Sequence, residues 1–322
     1  MADATFVREY NELRKTAAAA IAASEVHQLA DGSAGVLTGL NAAASGDRTN
    51  WTTTGQFTFT KAADVVILDG GRVYWDHSAN AASYKKVNDR DFYLGRAVGD
   101  AASAATSLVC NLNVDPPYDI DITRDAFASV PTGTQAVGEF GFPKTLGGAK
   151  LIELTATSEA QAIDALSVDK FALGANAIIE AIVRIPVNGS GAAVDFNIGI
   201  ANGTSTTDAD AITESVFFHI DGGALDILAE SDDGTTEVAA TDTTIDATAG
   251  SAVANRFEFW IDTRTPADVQ LYVNGVNVLP NSTFTLAASA GPFGLLAHVE
   301  KTTGTTTGKF IIDAFRARYA EQ

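Results

Sequence analysis

Short stretches in which apolar and polar residues alternate make up much of the chain after residue 25. Two examples are Phe257-Glu-Phe-Trp-Ile-Asp and Ala193-Val-Asp-Phe-Asn-Ile-Gly-Ile. A period of two residues is typical of β-strands that bury one face. In the second half of the chain the pattern predicts eight strands, at residues 177–187, 193–200, 214–220, 225–229, 256–263, 269–273, 293–299 and 309–319.

The first half contains shorter strand-like stretches that include β-branched or aromatic residues. They lie at residues 36–40, 56–60, 65–68, 72–75 and 92–96. Hairpin signals in the second half include Asp221-Gly-Gly, Asp232-Asp-Gly and Asn274-Gly. The pattern therefore predicts an all-β protein: a small N-terminal β-domain, like a barrel or sandwich, followed by a C-terminal antiparallel jelly-roll β-sandwich.

A cluster of prolines marks the predicted boundary between these two domains. Four of the eight prolines lie in one stretch rich in glycine and aspartate: Pro116, Pro117, Pro131 and Pro143. Because proline supplies no backbone donor to a sheet, we predict a partly extended linker there. The predicted organisation is an N-terminal arm at residues 1–24, a β-domain at 25–113, a linker at 114–148 and a sandwich at 149–322.

The leading segment, Phe6 to Ser24, joins a basic stretch to a run of alanines. Alanine and glutamate favour helices, so one expectation is a short helix packed on its own domain. The other is an arm that reaches a neighbouring molecule. Glu9 and Glu12 lie where a secretory signal would be basic, so we do not expect a signal peptide.

Composition and charge narrow the range of functions. The 322 residues are 46% hydrophobic and 19% charged, which is a globular composition. The net charge of -19 would be repelled by phosphate, and no run of about 18 apolar residues is present. Neither nucleic acid nor a membrane is therefore an expected partner. The single cysteine, Cys110, lies in a strand-like run and is predicted to be a buried thiol.

The sequence lacks the common catalytic motifs. A retaining glycosidase needs two carboxylates about 5 Å apart, and the spacings of Asp221, Asp226 and Glu230 do not reproduce its motif. The histidines are dispersed along the chain, at His27, His77, His219 and His298. Because no two of them have a metal-ligand spacing, we predict no metal site and no enzymatic activity.

Acidic residues in loops suggest one possible cofactor, a calcium ion. Oxygen ligands for calcium are available at Asp208, Asp210, Asp232 and Asp233. Aspartate is also a common turn former, which explains the same residues without an ion. We therefore predict no cofactor, with calcium as the alternative.

The aromatic residues are mostly expected in the core. Trp75, Trp260 and Tyr272 lie within strand patterns. Trp51 follows Thr49 and Asn50 in a loop-like stretch, so it is predicted to be an exposed contact aromatic.

Residues 25–113 carry five motifs that together resemble one protein family. They are Glu25-Val-His-Gln-Leu-Ala-Asp-Gly-Ser-Ala-Gly-Val-Leu, Gly55-Gln-Phe-Thr-Phe-Thr-Lys, Gly70-Gly-Arg-Val-Tyr-Trp-Asp, Leu94-Gly-Arg-Ala-Val and Val109-Cys-Asn-Leu-Asn. In this order they resemble the capsid cement, or decoration, proteins of tailed phages. The resemblance covers only the N-terminal third of the chain.

The C-terminal half resembles a laminin-G or concanavalin-type jelly roll. This resemblance rests on Arg256-Phe-Glu-Phe-Trp-Ile-Asp, Val269-Gln-Leu-Tyr-Val-Asn-Gly-Val-Asn-Val and the closing Phe310-Ile-Ile-Asp-Ala-Phe-Arg-Ala-Arg-Tyr. It concerns the fold, because such sandwiches serve lectins, glycosidases and spacers alike.

Together the resemblances imply a virion structural protein that binds the outer surface of a phage head and stabilises it, with the jelly roll projecting. The implied partners are the major capsid protein and further copies of this chain, as a homotrimer. The N-terminal arm would contact the capsid through Arg8, Arg14 and Lys15. One alternative is a carbohydrate-binding adhesin or fibre protein of the virion, with a host surface glycan as its partner. Another is a secreted bacterial lectin or glycosidase.

Overall fold

The computed structural model describes residues 12–38, 42–133, 141–146, 148–187, 194–247, 256–302 and 307–319. In this part of the chain the elements are β-strands and two short 3-10 helices, Leu173–Ala175 and Ala209–Ala211. No helix among these residues is long and apolar enough to cross a membrane. The chain divides into two compact units, Met1–Pro117 and Tyr118–Gln322. The predicted all-β fold class is confirmed.

The first unit contains two antiparallel sheets. Their strands are β1 (Glu12–Thr16), β2 (Val26–Gln28), β3 (Ala34–Leu37), β4 (Arg48–Thr52), β5 (Gln56–Thr60), β6 (Arg72–Asp76), β7 (Ala81–Ser83), β8 (Phe92–Val98) and β9 (Ser107–Leu112). The four-stranded sheet has the order β1-β4-β3-β2, and the five-stranded sheet has the order β5-β9-β8-β6-β7. The strand predicted at residues 65–68 is absent, and Ile67 makes only an isolated bridge to Ala101.

Asn113 joins the two sheets of this unit. It directly follows β9 and has a φ of 57°, a left-handed conformation that asparagine tolerates. Its side-chain amide donates to the carbonyl oxygens of Ala34 and Thr53, at 2.8 and 2.7 Å. Its Oδ1 accepts a hydrogen bond from the Ala34 N–H at 2.8 Å. One side chain therefore ties the end of β9 to the start of β3 and the end of β4.

Trp51 is buried, so the prediction of an exposed contact aromatic is wrong. It lies on β4, is 0% exposed and packs in a cluster with Ile21, Leu29 and Leu37. Its Nε1 donates to the Thr49 hydroxyl at 2.9 Å, which satisfies the only polar atom of the side chain. The stretch looked like a loop because of its polar residues. In the strand, however, Thr49 and Trp51 alternate as buried positions with exposed neighbours.

The described part of the leading segment folds onto its own unit as a strand. β1 pairs with β4 along its whole length and forms the edge of the four-stranded sheet. Ala17 and Ile21 follow it and join the cluster around Trp51. The expected helix and the expected free arm are therefore both incorrect for residues 12–23. The ladder to β4 and the buried alanine and isoleucine together outweigh the helix propensity of the alanine run.

The second unit is a sandwich of two antiparallel sheets. Its strands are β10 (Ile120–Asp121), β11 (Phe127–Thr132), β12 (Gly141–Leu146), β13 (Ala149–Leu154), β14 (Gln161–Ser167), β15 (Ile178–Val187), β16 (Val194–Ala201), β17 (Glu214–Ile220), β18 (Asp226–Asp233), β19 (Glu237–Asp246), β20 (Arg256–Asp262), β21 (Gln270–Val273), β22 (Val276–Asn277), β23 (Gly294–Lys301) and β24 (Gly308–Arg318). The eight-stranded sheet has the order β12-β13-β24-β15-β20-β21-β22, with β10 also paired to β24. The seven-stranded sheet has the order β11-β14-β23-β16-β17-β18-β19. All eight strands predicted for this half are present, within a few residues at each end.

The core of the sandwich lies between the inner faces of the two sheets. One register row of the seven-stranded sheet illustrates the inner face, with every side chain buried: Ile163, Val299, Phe196, Ile220 and Ile227. Phe196 stacks on Phe310 of the opposite sheet with ring centroids 4.4 Å apart. Aromatic pairs of this kind contribute beyond the area that they bury, by about 0.5–1.5 kcal/mol.

The predicted linker at residues 114–148 is wrong over most of its length. β10, β11 and β12 all lie in this range, and each pairs with a strand of the sandwich. Pro131 lies on β11 and Pro143 on β12, which are edge strands of the two sheets. An edge strand tolerates proline because one side of its backbone needs no partner, so proline did not mark a linker here. The division between the units falls at Pro117.

Other predictions about individual residues hold. Asn274 and Gly275 form the turn between β21 and β22 with φ values of 51° and 78°, as a type I′ turn requires. Trp75, Trp260 and Tyr272 are buried. Cys110 is also buried, and burial raises the pKa of its thiol to about 12.

Candidate functional site

Polar side chains lie in register across the outer face of the seven-stranded sheet. Asp164 on β14 is opposite His298 on β23, followed by Asn197 on β16 and His219 on β17. We call these four residues the polar row. Residues in one register row point to the same face of a sheet, and this row alternates with the rows that face the core. Polar groups at the centre of a sheet are costly unless they are paired, so the polar row is the strongest candidate site of the sandwich.

The loop between β16 and β17, residues 202–213, covers part of this face. Its Ala209 and Ile212 pack in a small apolar cluster with Phe217 and Leu296 of the sheet. The N–H of Ser205 in the same loop lies 3.5 Å from Asp164 Oδ1. Asp164, Asn197 and His298 are no more than 2% exposed. The loop therefore helps to shield the polar row from water.

His298 lies between two carboxylates at one end of the site. Its Nδ1 is 3.0 Å from Asp164 Oδ1, and its Nε2 is 3.5 Å from Glu300 Oε2. Burial alone would lower the pKa of His298, but Asp164 and Glu300 outweigh burial and raise it to about 9. The raised pKa favours the imidazolium form of the ring at neutral pH.

His219 also lies between two carboxylates, but at longer distances. Its Nε2 is 3.9 Å from Asp195 Oδ1, and its Nδ1 is 3.7 Å from Glu230 Oε2. Both ring nitrogens are buried and have no hydrogen-bond partner. Burial opposes the charged ring, but Asp195 and Glu230 outweigh burial and raise the pKa of His219 to about 10.

Asp210 of the covering loop completes a group of three metal-ligating residues. One ligand atom each from Asp210, His219 and Glu230 lies within 4.8 Å of the other two, and no other such group occurs in the described part of the chain. Glu230 is 7% exposed, and its Oε1 accepts a hydrogen bond from Asn197 Nδ2 at 2.8 Å. Burial and the neighbouring Glu230 raise the pKa of Asp210 to about 7.

A groove adjoins the other side of the polar row. Its volume is about 310 Å³, and Glu300 of β23 forms part of its wall. The surface exposed in the groove is mainly apolar, although Thr132, Thr206, Thr207 and Thr302 also line it. The groove therefore offers a mainly apolar surface with few polar groups.

Because His298 is charged in the folded protein, the stability of the sandwich is expected to depend on pH. The pKa of His298 rises from 6.5 to about 9 on folding. Its stabilising contribution is therefore complete below about pH 6.5 and is lost as the pH rises through about 9, with a size on the order of 3 kcal/mol. We expect His298→Gln to reduce the fall in the unfolding free energy of the sandwich between these pH values, and to leave the part that comes from His219, whose pKa is also raised. Urea titrations across this range would measure it.

His77→Gln is the matched control, since His77 belongs to the first unit. It should leave the pH profile of the sandwich unchanged. If the unfolding free energy of the sandwich fell equally with pH in the wild type and in His298→Gln, the assignment of the charge to His298 would be contradicted.

The residues predicted for capsid contact lie in the first unit. Arg14 and Lys15 are exposed on the edge strand β1. Arg8 lies outside the described residues. The same unit has an open groove of about 390 Å³, and the apolar part of its lining is formed by Val36, Leu37, Phe57 and Phe59.

Of the four aspartates considered for calcium, only Asp210 belongs to the group of three ligands. Asp232 accepts a hydrogen bond from the N–H of Gly234 in the turn after β18. Asp233 accepts from the N–H groups of Thr235 and Thr236 in the same turn. These two carboxylates therefore serve as turn formers. Asp208 accepts from the N–H of Asp210 at 3.0 Å and caps the 3-10 helix.

The sequence of the first unit matches a known family. Residues 7–112 match the family model described as phage cement protein. The match covers about a third of the chain and supports a structural role in a phage particle for this part. No curated protein sequence matches the chain.

Solved structures with a similar strand arrangement include three carbohydrate-related proteins. A putative beta-glucanase from Mycobacterium abscessus has a TM-score of 0.42 at 9% identity, covering 63% of this chain and 100% of that chain. The carbohydrate recognition domain of Emp47p has a TM-score of 0.41 at 10% identity, covering 60% and 89%. The alginate lyase AlgAT5 has a TM-score of 0.40 at 12% identity, covering 58% and 85%. TM-scores and identities this low do not indicate a ligand or an activity for this chain.

Proposed function

We propose that this protein is a capsid decoration protein, which attaches to the outer surface of a phage head through residues 1–117 and displays the sandwich. The proposal rests on one observation. The match to the phage cement family, at residues 7–112, falls entirely within the compact unit Met1–Pro117. A family match that coincides with a compact unit supports transfer of the function to that unit. We further propose that the sandwich is not an enzyme.

The distribution of charge supports this division of roles. Residues 1–117 carry 10 basic and 13 acidic side chains, a net charge of -3, whereas residues 118–322 carry 11 and 27, a net charge of -16. Strong like charge keeps a displayed domain soluble and keeps neighbouring copies apart. The nearly neutral first unit meets a protein surface with less repulsion.

Attachment as a symmetric oligomer would suit a head, which offers many identical sites around its rotation axes. We propose a trimer of this chain seated on the major capsid protein. Linked contacts raise avidity by about 10² to 10⁴ without strengthening any single contact. Each copy therefore needs only a small interface.

The first test is direct decoration of heads that lack this protein. We expect the purified full chain to bind them in a fixed ratio to the major capsid protein, and to raise the temperature at which the heads release their DNA. Electron microscopy should place the added density on the outside. Density inside the head, or no saturable binding, would contradict the proposal.

Arg14 and Lys15 are proposed to contact the capsid from the edge strand β1. Reversing both charges with Arg14→Glu and Lys15→Glu should weaken head binding by about tenfold or more, and most strongly at low salt, because exposed charges are screened by salt. The control is Lys86→Glu with Arg90→Glu, which makes the same charge change at exposed positions of the same unit. Equal loss of binding in both double variants would show a general charge effect and contradict the role of β1.

A second candidate function is binding of a glycan by the sandwich, as in an adhesin. The groove beside Glu300 is the place we propose for it, because its mainly apolar lining also includes four threonines. Binding of a host polysaccharide that is lost on Glu300→Gln would support this function. A polysaccharide panel that yields cleavage products would instead contradict the proposed absence of enzymatic activity.

A further inference from the structure

We propose that Asp210, His219 and Glu230 bind one divalent transition-metal ion, with Zn²⁺ as the ion that fits the ligands best. One nitrogen and two carboxylate oxygens are donors that zinc uses in proteins. The three residues come from different elements: Asp210 from the loop at 202–213, His219 from β17 and Glu230 from β18. Their ligand atoms already lie within 4.8 Å of one another.

The distances around His219 are unsuited to hydrogen bonds. Its Nδ1 lies 3.7 Å from Glu230 Oε2, beyond the range of about 2.7–3.2 Å for an N–H···O bond. Two ligands bound tetrahedrally at about 2.0–2.2 Å from one zinc ion lie about 3.3–3.6 Å apart. The separation of 3.7 Å is therefore close to that of two ligands of one ion.

Buried nitrogens without partners give an independent reason for a ligand. Both ring nitrogens of His219 are buried and have no hydrogen-bond partner, although each faces a carboxylate at 3.7 or 3.9 Å, and a buried polar atom without a hydrogen bond is destabilising. An ion at Nδ1 would displace the proton of that nitrogen to solvent and give the buried nitrogen a partner. Nε2 would then be the N–H that faces Asp195 Oδ1 at 3.9 Å.

Asp195 is placed to orient the ring. Its Oδ1 is held by the N–H of Gly222 at 3.0 Å. A carboxylate behind a metal-bound histidine is the usual arrangement that selects the tautomer. Asn197 orients Glu230 in the same way, because its Nδ2 donates to Oε1 and leaves Oε2 directed toward His219.

The site would fasten the covering loop to the sheet. Asp210 lies on the exposed side of the group, whereas Glu230 is buried, so an ion could enter past Asp210. Once bound, the ion would tie residues 202–213 to β17 and β18 and hold the cover over the polar row. Water would complete the coordination sphere on the exposed side.

The test is a zinc titration of the full chain after removal of metals with a chelator. Isothermal titration calorimetry should show one Zn²⁺ per chain, and Co²⁺ in its place should give visible d–d absorption. Asp210→Asn should weaken Zn²⁺ binding by at least about tenfold, because even partners behind a ligand contribute 10- to 100-fold. Asp210 is exposed, so this variant should fold normally.

The control is Asp226→Asn, which removes the same charge from β18 at a half-buried position beside Asp221, Asp242 and Asp246. It should bind Zn²⁺ as the wild type does. Zinc should also slow amide hydrogen exchange in peptides spanning residues 202–213 in the wild type and in Asp226→Asn, but not in Asp210→Asn. Absence of one saturable Zn²⁺ site, or equal weakening in the two variants, would overturn the proposal.

Discussion

A chain reduced to residues 118–322 is expected to lose all detectable binding to phage heads, whereas a chain reduced to residues 1–117 is expected to keep it. The cement family match ends at residue 112, and the division between the compact units falls at Pro117. The cut therefore removes no strand from either unit, since β9 ends at Leu112 and β10 begins at Ile120.

Co-sedimentation with heads that lack this protein would measure the effect, after circular dichroism has shown that each fragment is folded. The full chain gives the reference stoichiometry. Binding by the folded fragment 118–322 and not by the folded fragment 1–117 would reverse the proposed roles. A fragment ending at residue 148 is unsuitable, because it would carry β10, β11 and β12 away from the sheets in which they pair.

Trp51→Ala is expected to destabilise the first unit by about 3–5 kcal/mol, the usual cost of removing a large buried aromatic side chain. Trp51 is 0% exposed and lies at the centre of a cluster that includes Leu29 and Leu37. The variant also removes the indole N–H that donates a hydrogen bond to the Thr49 hydroxyl. In a small unit such a loss is a large part of the total stability.

Hydrogen exchange resolved by peptide would measure the loss within residues 12–112 separately from the sandwich. The adjacent substitution Asn50→Ala is the control, because Asn50 is on the same strand but exposed. Asn50→Ala should change the hydrogen exchange of residues 12–112 only slightly. An equally small effect of Trp51→Ala would mean that the cluster around Trp51 does not stabilise the first unit. If the proposed attachment holds, heads should also bind Trp51→Ala less well at elevated temperature than at low temperature.

Local patterns in the sequence predicted eight strands of the sandwich. Alternating residues such as Val194 to Ala201 can bury one face only as strands, and the Asn274-Gly turn allows one tight hairpin geometry. The pattern failed where strands carry few apolar residues. β19 is mostly exposed at an edge, and its threonines and aspartates resemble a loop.

The alternation also carries the polar residues of the candidate site. Asp195, Asn197 and His219 occupy the polar positions of β16 and β17, which a single-faced sheet would direct to solvent. A strand pattern gives the face of these residues and not what covers that face.

Only the tertiary structure decided which of these residues meet. Asp164 and His298 are 134 positions apart in sequence, and strand register brings them within 3.0 Å. Asp210 joins His219 and Glu230 because residues 202–213 fold back over the sheet. Histidines without a local metal-ligand spacing can therefore still lie beside other metal-ligating side chains, because register joins residues across strands and loops that no sequence interval relates. In the same way, pairing with β4 decided that residues 12–16 form an edge strand, because a strand ladder requires a partner that local composition does not reveal.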